Sequence, residues 1–404
     1  EKKREISEAM GQTAVSVSDS SEALLNEDKE ESNDDESFEN YPDFSWDTLP
    51  LYMHVRKIES FSDEELKFLS KFPLVTLEKT TEMGTYGSTD VGSIKSAEKI
   101  KEYNANAKVL FYWNCIINYT YYSFQKELDD HEDWFLKDKT TGEDVEVHRG
   151  NRKLFDLSQP EVRKWWIDKA TGVCDHPSID GLFIDAITDV VSPTYLTNVA
   201  NISDEKKTEV VKGWNEMMSD IQEALVQKKK LKVANVLRAL LSDSGLSYLH
   251  YFDGSYLERF EDHDVEYLEK GIAAAQQAAQ SKKILALTMR LCDSSDDEVD
   301  FDDMRKLQPR IDYCIGLFLI IAEKYSYLYI HDGYDVNTDS DGKCKSKVWL
   351  KRFSQYDRPL GEPLGPAEKV SNYNYTRVFE HVKVKVNINE KRAHLSWSDD
   401  WVIV

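Results

Sequence analysis

The sequence predicts an α/β fold, a (β/α)8 TIM barrel with a small C-terminal antiparallel β appendage. From residue 44 onward, short apolar or aromatic runs alternate with amphipathic, charged stretches, which is the pattern of parallel strands covered by helices. Eight such runs can be counted, and eight strands close a barrel of this type. Near the C-terminus apolar and polar residues instead alternate with a period of two, which indicates antiparallel strands.

The first 43 residues are predicted to be a disordered acidic tail or linker. Residues 1–40 hold 13 Asp and Glu against 4 Lys and Arg, with few large apolar side chains. Such a segment cannot bury enough surface to offset the conformational entropy lost on folding. We therefore place the barrel at residues 44–345 and the appendage at residues 346–404.

The predicted strands are short and apolar. The fourth shows the pattern most clearly, because Leu182, Phe183 and Ile184 form a continuous apolar triplet, as in a strand buried on both faces. The eight runs cover residues 51–54, 74–78, 109–114, 181–185, 232–235, 251–257, 284–290 and 325–332.

Amphipathic stretches between these runs predict the covering helices, at residues 93–103, 159–171, 205–227, 262–280 and 302–323. Pro160 marks the start of the second. The connection over residues 115–156 is long and aromatic, and long loops on this face of a barrel commonly shape a binding site. In the appendage, residues 389–392 are predicted to form a hairpin turn.

Composition excludes several functions. The net charge of -23 at pH 7 and the pI near 4.9 argue against a nucleic-acid partner, which needs a basic surface. No apolar run approaches the ~20 residues of a membrane span. The five cysteines show no CxxC or CxxH spacing, so neither a zinc site nor a redox pair is indicated. The nine Trp and 21 Tyr residues suit a carbohydrate-stacking cleft as well as an ordinary core.

If the eight runs close into a barrel, the residues at their carboxyl ends meet on one face. This set is dominated by carboxylates, aromatic rings and amide or basic donors. It comprises His54, Lys57, Glu78, Lys79, Tyr112, Trp113, Asn114, Asp185, Asn235, Arg238, Glu258, Arg259, Arg290, His331 and Asp332.

Two of these acids stand in similar segments, IDGLFIDA around Asp185 and YFDGSYLERF around Glu258, each with Asp-Gly, three residues and then an acid. Glycoside hydrolysis needs two carboxyl groups, one to protonate the leaving oxygen and one to attack the anomeric carbon or to activate water. Asp185 ends a short buried strand, so we predict that it is the nucleophile or stabilising base. Glu258 is then the general acid/base.

Other roles for these acids stay open. Asp185 could be solvated or could cap a helix, and Glu258 could form a salt bridge with Arg259 or Arg290 that only ties loops together. Glu78 and Asp332 also stand at predicted strand ends, where either could replace a member of the pair.

The other residues of the set are candidate substrate contacts. Two aromatic residues, Tyr112 and Trp113, could form a stacking platform. The residues that could bind hydroxyls or charges are His54, Glu78, Lys79, Asn114, Asn235, Arg238, Arg290, His331 and Asp332. Each also has an ordinary interpretation as a core or surface residue. The sequence has no GxGxxG, P-loop, GxSxG or HExxH motif, and the acidic loop from Asp335 lacks the last calcium-ligand Glu. We expect neither a cofactor nor a metal.

A set of motifs is spread along the chain from about residue 44: FSWDTLPLYMHVRK, FPLVTLEKTTE, AKVLFYWNC, LFDLSQPEVRKWW leading into IDGLFIDA, and RPLGEPLG followed by YTRVFEHVKVKVN. Together they resemble glycoside hydrolase-like family 15. The resemblance implies a (β/α)8 barrel and a carbohydrate-active protein, with one acid on the fourth strand and a second on the sixth. In this sequence those positions are Asp185 and Glu258.

The leading hypothesis is a glycoside hydrolase acting on a polysaccharide or oligosaccharide. Its partner would be a carbohydrate, and the basic residues on the predicted active face leave an anionic glycan open. One alternative is a polysaccharide lyase, with His54, Lys79 or Tyr112 as the base and Arg238 or Arg290 neutralising a uronate. Another is a carbohydrate-binding barrel without catalysis.

The expected location is secreted, extracellular or periplasmic, as for other enzymes that degrade glycans. The sequence begins at Glu1 without a signal-type apolar segment, so we expect that a leader has been removed.

Overall fold

The computed structural model describes residues 38–147, 152–292 and 302–398; most of the predicted tail, residues 1–37, lies outside these ranges. Its main feature is an eight-stranded parallel sheet. The barrel strands are β1 (Tyr52–Val55), β2 (Leu74–Leu77), β3 (Lys108–Asn114), β6 (Gly181–Asp185), β7 (Leu231–Ala234), β8 (Gly254–Glu258), β9 (Ile284–Arg290) and β10 (Ser326–His331). Two short strands between β3 and β6, β4 (Glu146–Val147) and β5 (Arg152–Lys153), form a separate ribbon.

The parallel sheet returns on itself as a barrel. Each strand pairs with the next along the chain, and β10 lies beside β1, where parallel bridges join Leu51 to Leu328 and Arg56 to Asp335. The barrel strands are buried over nearly their whole length. The predicted α/β class, the eight-stranded barrel and the C-terminal β appendage are confirmed.

Two glycines allow neighbouring strands to approach closely at the amino end of the barrel. A Cβ atom on Gly181 would lie 2.1 Å from the carbonyl oxygen of Leu231, and one on Gly254 would lie 2.2 Å from that of Ile284. Such distances are far inside van der Waals contact, so any larger residue would push the strands apart.

The aspartates that precede these glycines tie down adjacent strands. Asp180 accepts a hydrogen bond from the backbone N–H of Val109 (2.7 Å), and Asp253 accepts one from that of Lys232 (2.8 Å). The Asp-Gly repeat seen in the sequence is therefore an anchoring motif of the barrel base. It begins two strands of five residues, and each of them ends in an acid at the opposite face.

Helices cover the barrel: α1 (Asp63–Leu69), α2 (Met83–Tyr86), α3 (Thr89–Tyr103), α4 (Pro160–Cys174), α5 (Ile187–Val191), α6 (Asp204–Gln227), α7 (Val265–Gln280) and α8 (Met304–Leu319). Local signals set their starts. Ser62 and Glu65 form a capping box before α1, and Pro160 occupies the first turn of α4. Within the described ranges, no helix is long and apolar enough to cross a membrane.

The sixth barrel strand begins later than the sequence predicts. The prediction starts at residue 251, whereas β8 starts at Gly254. Leu246–Tyr251 form a 3-10 helix instead, and the ring of Tyr251 packs edge-on against Trp214, with 5.9 Å between centroids. Aromatic residues favour strands and core packing alike, so the aromatic run by itself does not mark the strand boundary.

The C-terminal antiparallel sheet consists of β11 (Glu368–Ser371), β12 (Asn374–Val378), β13 (Val382–Asn387) and β14 (Arg392–Trp397). In β13 the valines are buried and the intervening lysines are exposed, as the period-two pattern predicts. The hairpin turn predicted at residues 389–392 occupies residues 388–391.

This sheet packs against α8. A Cβ atom on Gly316 would lie 2.6 Å from the Cβ of Ala393, so the glycine permits the close approach of β14. The buried Arg377 donates to the carbonyl oxygens of Leu319 (3.0 Å) and Ala322 at the carboxyl end of the helix. Its positive charge there also favours the negative end of the helix dipole.

The last residues of the predicted tail already contact the barrel. The ring of Tyr41 lies edge-on to that of Tyr325, with 4.9 Å between centroids, and the carbonyl oxygen of Pro42 accepts a hydrogen bond from the hydroxyl of Tyr327 (3.0 Å).

Candidate active site

The carboxyl ends of the barrel strands form one face, where most of the residues predicted from the sequence lie. Glu78 and Asn235 directly follow β2 and β7. Asp185, Glu258 and Arg290 are the last residues of β6, β8 and β9. Residues at these positions of a barrel are the ones that commonly carry catalysis.

Two hydrogen-bond donors hold the carboxylate of Asp185. The Tyr112 hydroxyl donates to its Oδ2 (2.7 Å), and Nδ2 of Asn235 donates to its Oδ1 (3.2 Å). Tyr112 is fully buried, and its ring stacks on Phe183 at 5.9 Å between centroids. Burial and the charge of Asp185 raise the pKa of Tyr112 well above its ordinary value, so the hydroxyl keeps its proton. Asp185 itself is partly exposed, which leaves an oriented carboxylate within reach of a ligand.

Asn114 holds the Tyr112 hydroxyl in place. Its Nδ2 donates to the Tyr112 hydroxyl (3.2 Å), and its Oδ1 accepts from the backbone N–H groups of Ile116 (3.1 Å) and Ile117 (2.6 Å). Asn114 is buried, so the structure assigns it to positioning Tyr112 and the following loop.

Glu78 is buried and contacts two neighbouring side chains. Its Oε1 lies 3.1 Å from Nε2 of His54, and its Oε2 lies 2.8 Å from Nζ of Lys79. Burial raises the pKa of Glu78, but Lys79 and His54 outweigh it and lower the pKa to about 2. Glu78 is therefore ionised at any physiological pH and is unsuited to the role of general acid.

Lys79 lies between Glu78 and Asp185. Its ammonium group is 4.4 Å from the ring centre of Tyr112 and 5.3 Å from that of Tyr119. Burial lowers the pKa of Lys79, but Glu78 and Asp185 raise it above the ordinary value, so the side chain stays cationic. It therefore offsets the repulsion between the two carboxylates.

Glu258 has 35% of its side chain accessible. The structure pairs it with Arg238, at 3.5 Å between Oε2 and a guanidinium nitrogen. The expected alternative, a salt bridge to Arg259 or Arg290, is not formed: Arg259 pairs with Asp262, and the guanidinium of Arg290 meets no carboxylate among the described residues.

A different acid ties these loops together. The fully buried Glu261 accepts a hydrogen bond from the backbone N–H of Arg290 (2.8 Å) and one from the guanidinium of Arg310 (3.3 Å). Glu261 thus joins the ends of β8 and β9 to α8, while the Glu258 carboxylate contacts Arg238.

Several predicted residues lie outside this cluster. Trp113 alternates with Tyr112 along β3 and packs on Trp166 of α4, with 5.9 Å between centroids, so it offers no sugar-stacking platform. Asp332 accepts hydrogen bonds from the Ser346 hydroxyl (2.5 Å) and a loop N–H, which makes it an organiser of the following loop.

The remaining two predicted residues, Lys57 and His331, also have contacts outside the cluster. Lys57 pairs with Glu65 at 2.7 Å. His331 is buried and stacks on Tyr329 at 5.1 Å between ring centres. Burial, followed by the nearby Arg290, lowers the pKa of His331 to about 3, so it is a neutral packing residue at physiological pH.

One acid beside the site was not predicted. Asp189, in α5, follows Asp185 by four residues and is hydrogen-bonded by Tyr195. Burial and the charge of Asp185 raise the pKa of Asp189 to about 7. The four-residue spacing was visible in the sequence, but the burial that gives Asp189 its unusual proton affinity was not.

Tyr334 is a second residue that sequence reasoning missed. Its ring lies 5.3 Å from that of His54 and under the guanidinium of Arg56, at 5.6 Å. It is partly exposed, and burial together with the charge of Glu78 raises its pKa to about 12. Tyr334 follows β10 by only three residues, so its position near a strand end was the available signal.

The described residues contain no cluster of three or more His, Cys, Asp or Glu side chains that could hold a metal ion. In the calcium-like loop, Asp335 pairs with Arg56 (2.9 Å) and Lys345 (3.3 Å). Its carboxylate is therefore neutralised by cations of the chain.

Solved structures similar to this chain share little sequence identity with it. The chain is similar to a noncanonic maltogenic α-amylase AmyB from Thermotoga neapolitana, at 12% identity over 84% of this chain and 85% of that chain, with a TM-score of 0.48. The GH31 dextranase FjDex31A from Flavobacterium johnsoniae has 12% identity over 86% of this chain and 47% of that chain, with a TM-score of 0.50.

A third structure is the GH36 α-galactosidase AgaA from Geobacillus stearothermophilus, at 10% identity over 84% of this chain and 47% of that chain, with a TM-score of 0.44. The chain thus spans about half the length of the dextranase and the galactosidase. At 12% identity the similarity to the dextranase bears on the fold alone.

No curated protein sequence matches the chain. A family model, described as hypothetical glycosyl hydrolase family 15, matches residues 101–383, a segment that contains both Asp185 and Glu258. Because this match extends over more than half of the sequence, the chain belongs to hypothetical glycosyl hydrolase family 15.

Proposed function

We propose that the protein is a glycoside hydrolase in which Asp185 is the nucleophile or base and Glu258 is the general acid/base. The main support is the arrangement at Asp185, whose two oxygens are held by Tyr112 and Asn235 while the carboxylate stays partly exposed at the barrel mouth. Family membership is consistent with this class of reaction. The proposed substrate is a polysaccharide or oligosaccharide met outside the cytoplasm.

In the proposed reaction, protonated Glu258 gives its proton to the glycosidic oxygen as the bond to the anomeric carbon breaks. Asp185 either attacks that carbon and is later released by water, or it removes a proton from the attacking water. Both routes consume one water molecule and one glycosidic bond. Tyr112 and Asn235 keep the Asp185 oxygens in place throughout, which lowers the entropy lost on reaching the transition state.

The lyase alternative is less well supported, because the candidate bases hold their protons or are already paired. Burial and Asp185 raise the pKa of Tyr112, and the pKa of Lys79 is raised by Glu78 and Asp185 against the effect of burial. His54 is buried between Tyr52 and Glu78, at 2.8 Å and 3.1 Å. A lyase needs one of these groups free to take a proton beside a uronate carboxylate.

A panel of neutral and uronate-containing polysaccharides tests the proposal. We expect wild-type protein to release new reducing ends from at least one of them without the ultraviolet absorbance of an unsaturated uronate. Absorbance growing in step with cleavage would establish the lyase instead. Binding of a glycan without any cleavage would establish the non-catalytic alternative.

A further inference from the structure

We infer that the substrate carries an anionic substituent, a carboxylate or a sulfate ester, which is bound beside Glu258 by Arg238, Arg259 and Arg290. This inference rests on the proposed function, because it names the substrate class of the same site. It concerns three guanidinium groups that come from adjacent strands and are only partly neutralised by the described residues.

The three arginines stand at or just beyond the carboxyl ends of three adjacent barrel strands. Arg238 follows β7, Arg259 directly follows β8, and Arg290 is the last residue of β9. Side chains two residues apart on a strand share a face, so Arg290 lies on the side of Thr288. The Thr288 hydroxyl bonds that of Tyr256 (2.8 Å), which is itself buried in the barrel interior.

Their hydrogen-bonding capacity is incompletely used. Arg238 meets Glu258 at 3.5 Å, which is the outer limit of a hydrogen bond. Arg259 pairs with Asp262 through one terminal nitrogen, while its buried Nε has no partner among the described residues. The Nε of Arg290 is also buried without a partner there, and its guanidinium makes no ion pair with the described residues. Unsatisfied buried donors of this kind are costly unless a ligand completes them.

The nearest buried acid does not neutralise this cluster. Glu261 accepts from the backbone of Arg290 and from Arg310, and burial raises its pKa to about 7. The positive field also reaches two histidines. Burial and then Arg238 lower the pKa of His263, and burial and then Arg290 lower that of His331 to about 3.

The proposed reaction increases the excess of positive charge at these arginines. Glu258 must be protonated to act as the general acid, and in that state the three guanidinium groups face the single described carboxylate of Asp262. An anionic group on the substrate would restore the balance with bidentate, charge-assisted hydrogen bonds. The charges would balance only when the substrate is bound. The strongly negative net charge of the protein does not prevent this binding, since local charges dominate in a cleft.

Binding measurements on matched glycans test the inference. The probes are oligomers of galacturonate, glucuronate, mannuronate and guluronate with their neutral methyl esters, and sulfated galactan oligomers with their desulfated forms. Calorimetric titrations use the Asp185→Asn protein, which prevents turnover, alone and with Arg290→Gln added. The control adds Arg305→Gln instead, because the Arg305 side chain is 94% exposed on α8.

We expect at least one anionic oligomer to bind about tenfold or more tightly than its neutral partner, as one or two charge-assisted hydrogen bonds would give. Arg290→Gln should remove most of that preference and Arg305→Gln should retain it. Whether carboxylates or sulfates show the effect identifies the substituent. Equal binding of every pair, no binding of any anionic member, or a preference that survives Arg290→Gln would overturn the inference.

These outcomes separate the inference from the proposed function. Wild-type cleavage of a neutral glycan, with no preference for charge, would leave the hydrolase standing and remove the anion site. Tight, Arg290-dependent binding of an anionic glycan that wild-type protein never cleaves would do the reverse.

Discussion

At the scale of single residues, the orientation of Asp185 depends on two neutral donors. Tyr112 contributes the shorter hydrogen bond, 2.7 Å against 3.2 Å for Asn235, and it is fixed by stacking on Phe183. Neutral donors hold a carboxylate in place without forming an ion pair that would compete with its attack on a substrate.

Replacing Tyr112 by Phe tests this positioning role. We expect kcat to fall roughly 10- to 100-fold through lost orientation, while the free energy of unfolding falls by only about 1 kcal/mol, since the ring packing remains. Tyr122→Phe is the matched control, because its buried hydroxyl likewise donates one hydrogen bond, to the Tyr112 carbonyl oxygen at 3.3 Å. Equal losses of kcat in the two variants would contradict the assignment.

Asp189 predicts a pH dependence of stability. Burial and Asp185 raise its pKa in the folded protein to about 7, whereas the unfolded chain has the ordinary value of 3.8. Between these values the folded state holds a proton that the unfolded state releases, so this group lowers stability progressively as the pH rises from about 4 to 7.

The Asp189→Asn variant should lose this penalty. We expect its free energy of unfolding, measured by urea denaturation, to exceed that of wild type by about 1 kcal/mol at pH 5. The difference should rise to about 4 kcal/mol at pH 8. Asp220→Asn, at an exposed position of α6, should show no such gain. A wild-type to Asp189→Asn difference that is the same at both pH values would refute the pKa assignment.

Much of the residue-level placement could be predicted, because a strand end can be read from an apolar run followed by a polar residue. The face of the strand on which each side chain lies, inward or outward, could not be predicted. Tyr112 and Asn114 share the inward face and Trp113 the outward one, and a shift of one residue would reverse this. Asp189 and Tyr334 were missed because their properties depend on burial by distant segments.

At the scale of elements, the contact between α8 and the C-terminal sheet depends on the absence of a side chain at Gly316. An added Cβ would lie 2.6 Å from the Cβ of Ala393 and 3.0 Å from a methyl group of Val386. Both neighbours belong to the sheet, so relief of the clash would require the sheet to move away from the helix.

Alanine substitutions at two helical glycines test this packing. Gly316→Ala should destabilise the protein by about 1–3 kcal/mol through overpacking. Gly172→Ala, in α4, meets no atom within 4 Å and should stabilise by about 0.5–1 kcal/mol, as expected in an open helix. Urea denaturation gives both values. Stabilisation by Gly316→Ala would show that the C-terminal sheet does not pack against this part of α8.

Elements whose hydrophobic period is long and regular were predicted to within a few residues. The helix predicted for residues 205–227 is α6, Asp204–Gln227, and the period-two segment is the C-terminal sheet. The start of β8 could not be predicted, because Leu246–Tyr251 are apolar enough for a strand but are held as a 3-10 helix by contacts such as that with Trp214.

At the scale of the whole molecule, closure of the sheet brings together residues that are far apart in the sequence. Asp185 and Glu258 are the last residues of two strands of equal length that begin at equivalent Asp-Gly anchors. Both acids therefore lie on the same face of the barrel. Counting eight apolar runs was sufficient to predict this convergence. The ion pairs at the mouth, such as Glu78 with Lys79 and Glu258 with Arg238, depend on side-chain directions that cannot be predicted from the number of strands.

The most direct test of the central claim is the rate of glycosidic bond cleavage by four variants, on the first glycan that wild-type protein is found to cleave. Asp185→Asn and Glu258→Gln remove the proposed carboxylates and keep their shape. Asp220→Asn and Glu266→Gln make the same changes at exposed positions on α6 and α7. We expect the first two variants to lose roughly 100-fold or more in kcat with unchanged unfolding midpoints, while the controls match wild type. Wild-type rates in Asp185→Asn or Glu258→Gln would contradict this claim.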